Sequence, residues 1–308
     1  MKRDDSLWKA ILEDIFEGFL VFFFPNAQEL FDFSQPFQFL DKELEQLFPS
    51  NPDDFSPKYV DKLVKVFTKE GQEQWILIHI EVQGNTDKNF SHRMFQYFYR
   101  IYDRYQRPIT AFAILTDKNK SFKPDKFETA YLGTSLRYEF NLYKILEQNE
   151  KTLAASDNPF AMIVLTALVA LKKDKLSEEE LLSQKIALLK RLSVKGFSRE
   201  KITALIGFLK LYVRFGNSEN DLKFEDALEQ TLNRPKATMG IVEFVIERER
   251  RDAKNQGIEE GMEKGFVSRD YTFVKSLLKQ TDFDDAKIAL LADVSLAFIE
   301  EIKKDLQQ

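Results

Sequence analysis

Asp61, Glu81 and Gln83 are the residues of this chain whose types and spacing best suit chemistry. Glu81 and Gln83 stand two apart near the end of the run Trp75-Ile76-Leu77-Ile78-His79-Ile80-Glu81-Val82-Gln83, which reads as a buried β-strand. A two-residue period puts both on one face of a sheet. Asp61 opens a second apolar strand, Asp61-Lys62-Leu63-Val64-Lys65-Val66-Phe67. A carboxylate in an apolar strand needs a partner, and a divalent metal is a common one. One acid from each of two adjacent strands, with the Val82 backbone carbonyl as a third ligand, would hold Mg²⁺ or Mn²⁺ and leave places for water and a substrate phosphate. Such a metal polarises a phosphoryl oxygen and makes hydroxide from water at neutral pH, the requirements of phosphodiester hydrolysis. Gln83 would hydrogen-bond the attacking water or the phosphate. Asp61 taken alone reads as a solvated strand end; the combination in its strand context points to the metal site.

A second group follows directly. Arg93, Tyr97, Arg100 and Arg104 recur at spacings of four, three and four on one face of a helix expected over 90–106. Beside the Glu81 strand such a face would bind DNA phosphates, Arg in bidentate fashion; its other reading is a solvated helix face. Lys65 shares the strand parity of Asp61 and is either a cation near the phosphate or a snorkelling surface lysine. His79 shares the face of Glu81 and reads as a hydrogen-bonded core histidine or a support for the site. Glu13, on the first helix, reads as a surface acid, with an accessory role as the alternative.

Other chemistries lack material. The chain has no Cys and two His, which removes disulfides, zinc-thiolate centres, Cys nucleophiles and multi-His metal sites. No apolar run reaches the ~18 residues of a membrane span, and the N-terminus shows an amphipathic pattern instead of a signal-peptide core, so a cytoplasmic protein without a membrane partner is expected. A net charge of −5 over 308 residues leaves a local basic groove as the way to hold nucleic acid.

The elements that must position these residues follow from periodicity. Apolar spacing predicts a helix over 5–24, ended by Pro25. A short strand over 37–40 and a loop over 49–57 follow, then strands over about 60–68 and 74–83 joined as a hairpin. After the 90–106 helix comes a wholly apolar, hence central, strand over 109–116, and a last strand over 135–140. This is an α/β arrangement with a mixed sheet. From about residue 144 the pattern is helical, with candidates over 158–173, 178–193, 198–215 and 219–232. Four segments result: a core over 1–143, a helical extension over 144–246, a charged helical linker over 247–267 and a small helical unit over 268–308. The linker carries Gly257, Gly261 and Gly265 at four-residue spacing, as a paired helix or a tether would. Residues 282–306 read as a packed helical hairpin or a helix-turn-helix.

With these residues assembled, the chain resembles the PD-(D/E)XK nuclease superfamily, with Gln83 where the usual pattern has Lys. More closely, over about residues 4–250, it resembles the Rpn family of recombination-promoting nucleases, also called YhgA-like transposases. The resemblance rests on Phe22-Phe23-Phe24-Pro25, Phe39-Leu40-Asp41-Lys42-Glu43-Leu44, Asp61-Lys62-Leu63-Val64-Lys65-Val66, Ile78-His79-Ile80-Glu81-Val82-Gln83, Arg93-Met94, Tyr99-Arg100 and Asn158-Pro159-Phe160-Ala161. It implies a restriction-endonuclease-like αβββαβ core followed by an all-helical C-terminal region. It also implies Mg²⁺-dependent DNA cleavage that promotes recombination, with the family's acids at Asp61 and Glu81 and its third position at Gln83. A neutral Gln offers the developing phosphorane only a hydrogen bond, so either activity is weak or another cation such as Lys65 or Arg93 compensates. The alternative is a catalytically weak or inactive nuclease-fold protein that binds DNA or a protein. DNA and a second copy, paired through the C-terminal helices, are the partners to be expected.

Overall fold

A computed structural model describes residues 2–232, apart from 41–42, 45–46, 48–59 and 82–87, together with scattered positions between 274 and 303. The chain divides into two units, Met1–Lys236 and Ala237–Gln308. The expected loop over 49–57 and the Gly-spaced helix over 247–267 lie outside the described residues. In the second unit Val274, Ile288, Ile299 and Ile302 are buried, and Lys303 pairs with both carboxylate oxygens of Asp285 at 2.5 and 2.6 Å.

The first unit is built on a five-stranded sheet. Strands β1 (Gln38–Phe39), β2 (Val60–Phe67) and β3 (Glu73–Glu81) pair antiparallel in sequence order. Helix α4 (Phe90–Tyr105) then carries the chain back to β4 (Ile109–Leu115), parallel to β3, and β7 (Asn141–Lys144) adds to β4 in parallel. The spatial order is β1-β2-β3-β4-β7. β3 and β4 are apolar on both faces because both are covered, the expected composition of central parallel strands. The β2–β3 hairpin closes through Gly71, whose φ of 77° suits a residue without Cβ.

Alternation sorts the strands into two cores. On one face Leu63, Leu77, Ala111, Ala113 and Leu115 pack against Phe90, Met94 and Ile101 of α4. On the other, an aromatic layer joins β4 to α2 (Phe16–Phe23) and α6 (Pro159–Lys172). There the Phe19 ring lies 5.3 Å from both Phe112 and Phe160, and Phe23 lies 4.8 Å from Phe112. Rings at such separations attract beyond their area burial, which accounts for the Phe-rich start of the chain.

The helices α1 (Lys2–Asp14), α3 (Ala27–Leu30), α5 (Glu150–Ala155), α7 (Glu178–Val194), α8 (Arg199–Tyr212) and α9 (Ser218–Leu232) complete the unit. α6 is buried almost all round, as its unbroken apolar sequence requires. Asn158 caps it, Pro159 fills its first position, and the Asn158 side chain donates to the Gly18 carbonyl at 2.9 Å. α7 opens with a capping box of Ser177 and Glu180. Trp8 of α1 meets Phe208 of α8 edge-on at 5.3 Å, so the helical residues beyond 144 share a core with the N-terminus.

Two expectations need correction. The single helix over 5–24 is broken at Ile15, whose φ of −127° is not helical, so that α1 and α2 meet different neighbours. The strand over 135–140 exists as β6 (Thr134–Glu139), but it pairs with β5 (Lys126–Tyr131) in a separate hairpin turned at Leu132-Gly133, and the sheet's last strand is β7. Phe127 and Tyr138 attach that hairpin to Phe95 of α4 at 5.1 and 5.9 Å.

Candidate functional site

Strand register decides what the sheet brings together. In the β2–β3 ladder Asp61 stands opposite His79, and Leu63 opposite Leu77. Asp61, His79 and Glu81 therefore occupy positions of one parity, on the face that carries Leu63, Leu77 and α4. Glu81 ends β3, and its partner across the next ladder is Leu115, which in turn pairs with Lys144. Row by row, the C-terminal ends of the three parallel strands thus carry Glu81, Leu115 and Lys144. Crevices at the carboxyl ends of parallel strands are where open α/β sheets bind their ligands. Val82 and Gln83 lie outside the described residues. Among the described residues no group of three or more His, Asp or Glu side chains is arranged to hold a metal ion.

The side chains around this row are aromatic. His79 is buried, with its ring 5.2 Å from Phe90 and 6.0 Å from Tyr97. Tyr97 thus stands over the row of Asp61, half-buried. Arg93 lies in the first turn of α4 with its guanidinium 5.5 Å from the centroid of the Phe90 ring, at the helix end that follows β3. Arg100 is two turns further on; it is exposed, and its Nη1 donates to the Leu47 carbonyl at 3.1 Å. Arg104 packs over Tyr105 at 5.6 Å, further still from the strand end.

Two positions separate from the site. Lys65 has the parity of Asp61 but lies four residues along β2, about 13 Å at ~3.3 Å per residue, and its ammonium meets Glu73 at 3.3 Å. Glu13 belongs to the opposite face of the sheet. There it pairs with the buried Lys62, whose ammonium also lies 5.2 Å from the Phe39 ring. The acid is not a free surface group, and its partner Lys62 holds a strand position of opposite parity to Leu63.

Sequence reasoning missed Asp117 and Lys144. They form a buried ion pair at 2.5 Å, with side-chain exposures of 6% and 3%, where β4 ends. Lys144 also donates to the Phe122 carbonyl at 3.3 Å, and the Phe122 ring packs 5.8 Å from Phe90. The available signal was an acid just past an apolar strand, Ile114-Leu115-Thr116-Asp117, the pattern that drew attention to Glu81.

Residues 51–111 match the family described as "Putative transposase, YhgA-like". The matched span runs through β2, β3 and α4 into β4, so it contains Asp61, Glu81, Val82, Gln83, Arg93, Tyr97 and Arg100. It stops short of Asp117 and Lys144. No curated protein and no solved structure matches the chain. Among the described residues no helix is long and apolar enough to cross a membrane.

Proposed function

We propose that the protein is a metal-dependent DNA endonuclease with its site at the C-terminal end of β3. The observation that carries this reading is the register that gives Asp61, His79 and Glu81 one face of the sheet at that end. The chain order of helix, three antiparallel strands, helix and parallel strand agrees with the αβββαβ order of PD-(D/E)XK nucleases. The YhgA-like match over this same stretch supports a substrate of DNA, because transposition breaks and rejoins DNA strands.

In this reading the donor set suits Mg²⁺, or Mn²⁺ in its place: two carboxylates, Asp61 and Glu81, with the Val82 carbonyl as a neutral oxygen. When bound, the ion would polarise the scissile phosphate and lower the pKa of water. The chain's own groups do the rest. The Gln83 amide orients the attacking water or a phosphate oxygen. It carries no charge, so the cation opposite the developing charge is Arg93, at the helix end nearest the strand terminus. His79, wedged between Phe90 and Tyr97, fixes the position of β3 against α4 and keeps the floor of the site dry.

The test is nicking of supercoiled plasmid by the purified full chain with added Mg²⁺ or Mn²⁺. Cleavage is expected in the wild type and is lost in Asp61→Ala and in Glu81→Ala. Undiminished nicking in both variants would remove these acids from the chemistry.

A further inference from the structure

Past Asp117 the chain makes a loop that carries Lys118, Lys120 and Lys123 and reaches Lys126 at the start of β5, and all four lysines are exposed. Against them the 118–126 segment has one acid, Asp125, in a chain whose overall charge is −5. The loop is held from within. Asp117 Oδ1 accepts from the Asn119 amide at 2.8 Å, and Asn119 Oδ1 accepts from the amide and hydroxyl of Ser121 at 3.0 and 2.7 Å. It is also held from below, by the Lys144 ammonium bonded to the Asp117 carboxylate and the Phe122 carbonyl. Phe122 then ties the loop to Phe90, which packs on His79. A cationic loop ordered in advance loses little entropy when it binds an anion.

The present partners of these lysines are weak competitors. Lys118 pairs with Asp174, Lys123 with Glu147 at 2.6 Å and Lys126 with Glu128 at 3.1 Å, all at side chains 40% or more exposed. Pairs in that setting contribute about 0–1 kcal/mol, less as salt rises, so a run of phosphates can displace the carboxylates. Position gives the loop its relation to the site. It rises two residues beyond Leu115, the register partner of Glu81. We propose that the 118–126 segment grips the DNA backbone beside the Asp61–Glu81 strand ends, a role that rests on the nuclease reading for its choice of polyanion. Lysine ammonium groups at this spacing hold phosphates as point charges and carry no base information, so the grip is independent of sequence.

The experiment measures fluorescence anisotropy of a labelled DNA duplex titrated with the full chain in EDTA, across ~50–200 mM salt. It compares the wild type with the Lys118→Gln/Lys120→Gln/Lys123→Gln variant. All three side chains are solvated, and matching circular dichroism melts establish that the variant folds. The affinity of the variant is expected to fall tenfold or more, and the slope of log K against log salt to shrink by about 0.9 for each phosphate that no longer meets a lysine. Unchanged affinity and slope would overturn the proposal. So would equal competition by polyglutamate at the same charge concentration, which would assign the loop to an acidic protein. The plasmid assay separates the two readings. Lysine-dependent binding by a chain that never cleaves overturns the nuclease reading alone, whereas metal-dependent cleavage with lysine-independent binding overturns the loop assignment alone.

Discussion

Breaking the Asp117–Lys144 pair is expected to be among the most costly single changes near the proposed site. Both side chains are almost fully buried, at 6% and 3% exposure, and their charged atoms are 2.5 Å apart. In Asp117→Ala the Lys144 ammonium keeps the Phe122 carbonyl at 3.3 Å and the Phe122 ring at 5.9 Å, but among the described residues no counter-charge at bonding distance. Removing one member of a buried pair costs about 3–5 kcal/mol, because the other is left charged and desolvated. Against a total stability of about 5–15 kcal/mol that is roughly a fifth or more of the whole. Lys144→Met is expected to cost a similar amount, since it strands Asp117. The double variant Asp117→Leu/Lys144→Met removes both charges and is expected to be near the wild type, or above it. Urea unfolding followed by circular dichroism gives the four stabilities of the cycle, with Asp117→Leu as its matching single. Loss of the Asn119 amide bond to Asp117, worth about 1 kcal/mol, occurs in every Asp117 variant and cancels from the coupling. A coupling below about 1 kcal/mol, the value of an exposed pair, would refute the view that this pair is sealed beneath the loop.

Two further expectations test the frame. Lys185 is buried, its ammonium donating to the Val213 and Lys210 carbonyls at 2.7 and 3.2 Å between the rings of Phe215 and Phe224, and burial pulls its pKa from 10.5 down to about 8. Below pH 8 both states are protonated and the folded state bears the cost of the buried charge; between 8 and 10.5 the unfolded chain binds the extra proton, so stability rises with pH by at most about 3 kcal/mol. Chemical unfolding from pH 7 to 10.5 is expected to show that rise in the wild type relative to Lys185→Met, and parallel curves would contradict it. In Gly18→Ala the new Cβ would lie 2.6 Å from Pro159 Cγ, an overlap expected to cost about 1–3 kcal/mol in the same unfolding assay. Adding Pro159→Ala should restore part of it, and no recovery would show that the clash is elsewhere.

The parts of the fold legible in the sequence are those whose burial is written in their composition. The β2–β3 hairpin, the apolar β4 and the all-apolar α6 stand out because each is covered on more than one side. β5 escaped because Lys126–Tyr131 is solvent-exposed along nearly its whole length and shows no alternation. β7 escaped because four residues, Asn141–Lys144, are too few to carry a period. Parity within β3 set His79 and Glu81 on one face, and the register with β2 adds Asp61 to it. Parity also admitted Lys65, since a period of two is silent about distance along the strand. Lys144 reads as an ordinary surface lysine in sequence; only the ladder from Glu81 through Leu115 reveals that it ends the same row, and that its partner is Asp117. Pairings between residues distant in the chain are properties of register, which the sequence leaves open wherever a strand is short.

The central claim is that Asp61 and Glu81 act together on a phosphodiester. Its most direct test is the single-turnover nicking rate of supercoiled plasmid as Mg²⁺ is raised, for the wild type, Asp61→Ala and Glu81→Ala at matched DNA occupancy. A saturating metal dependence in the wild type and rates at background in both variants are the expected result. A metal-dependent rate that survives either substitution at full strength would contradict it.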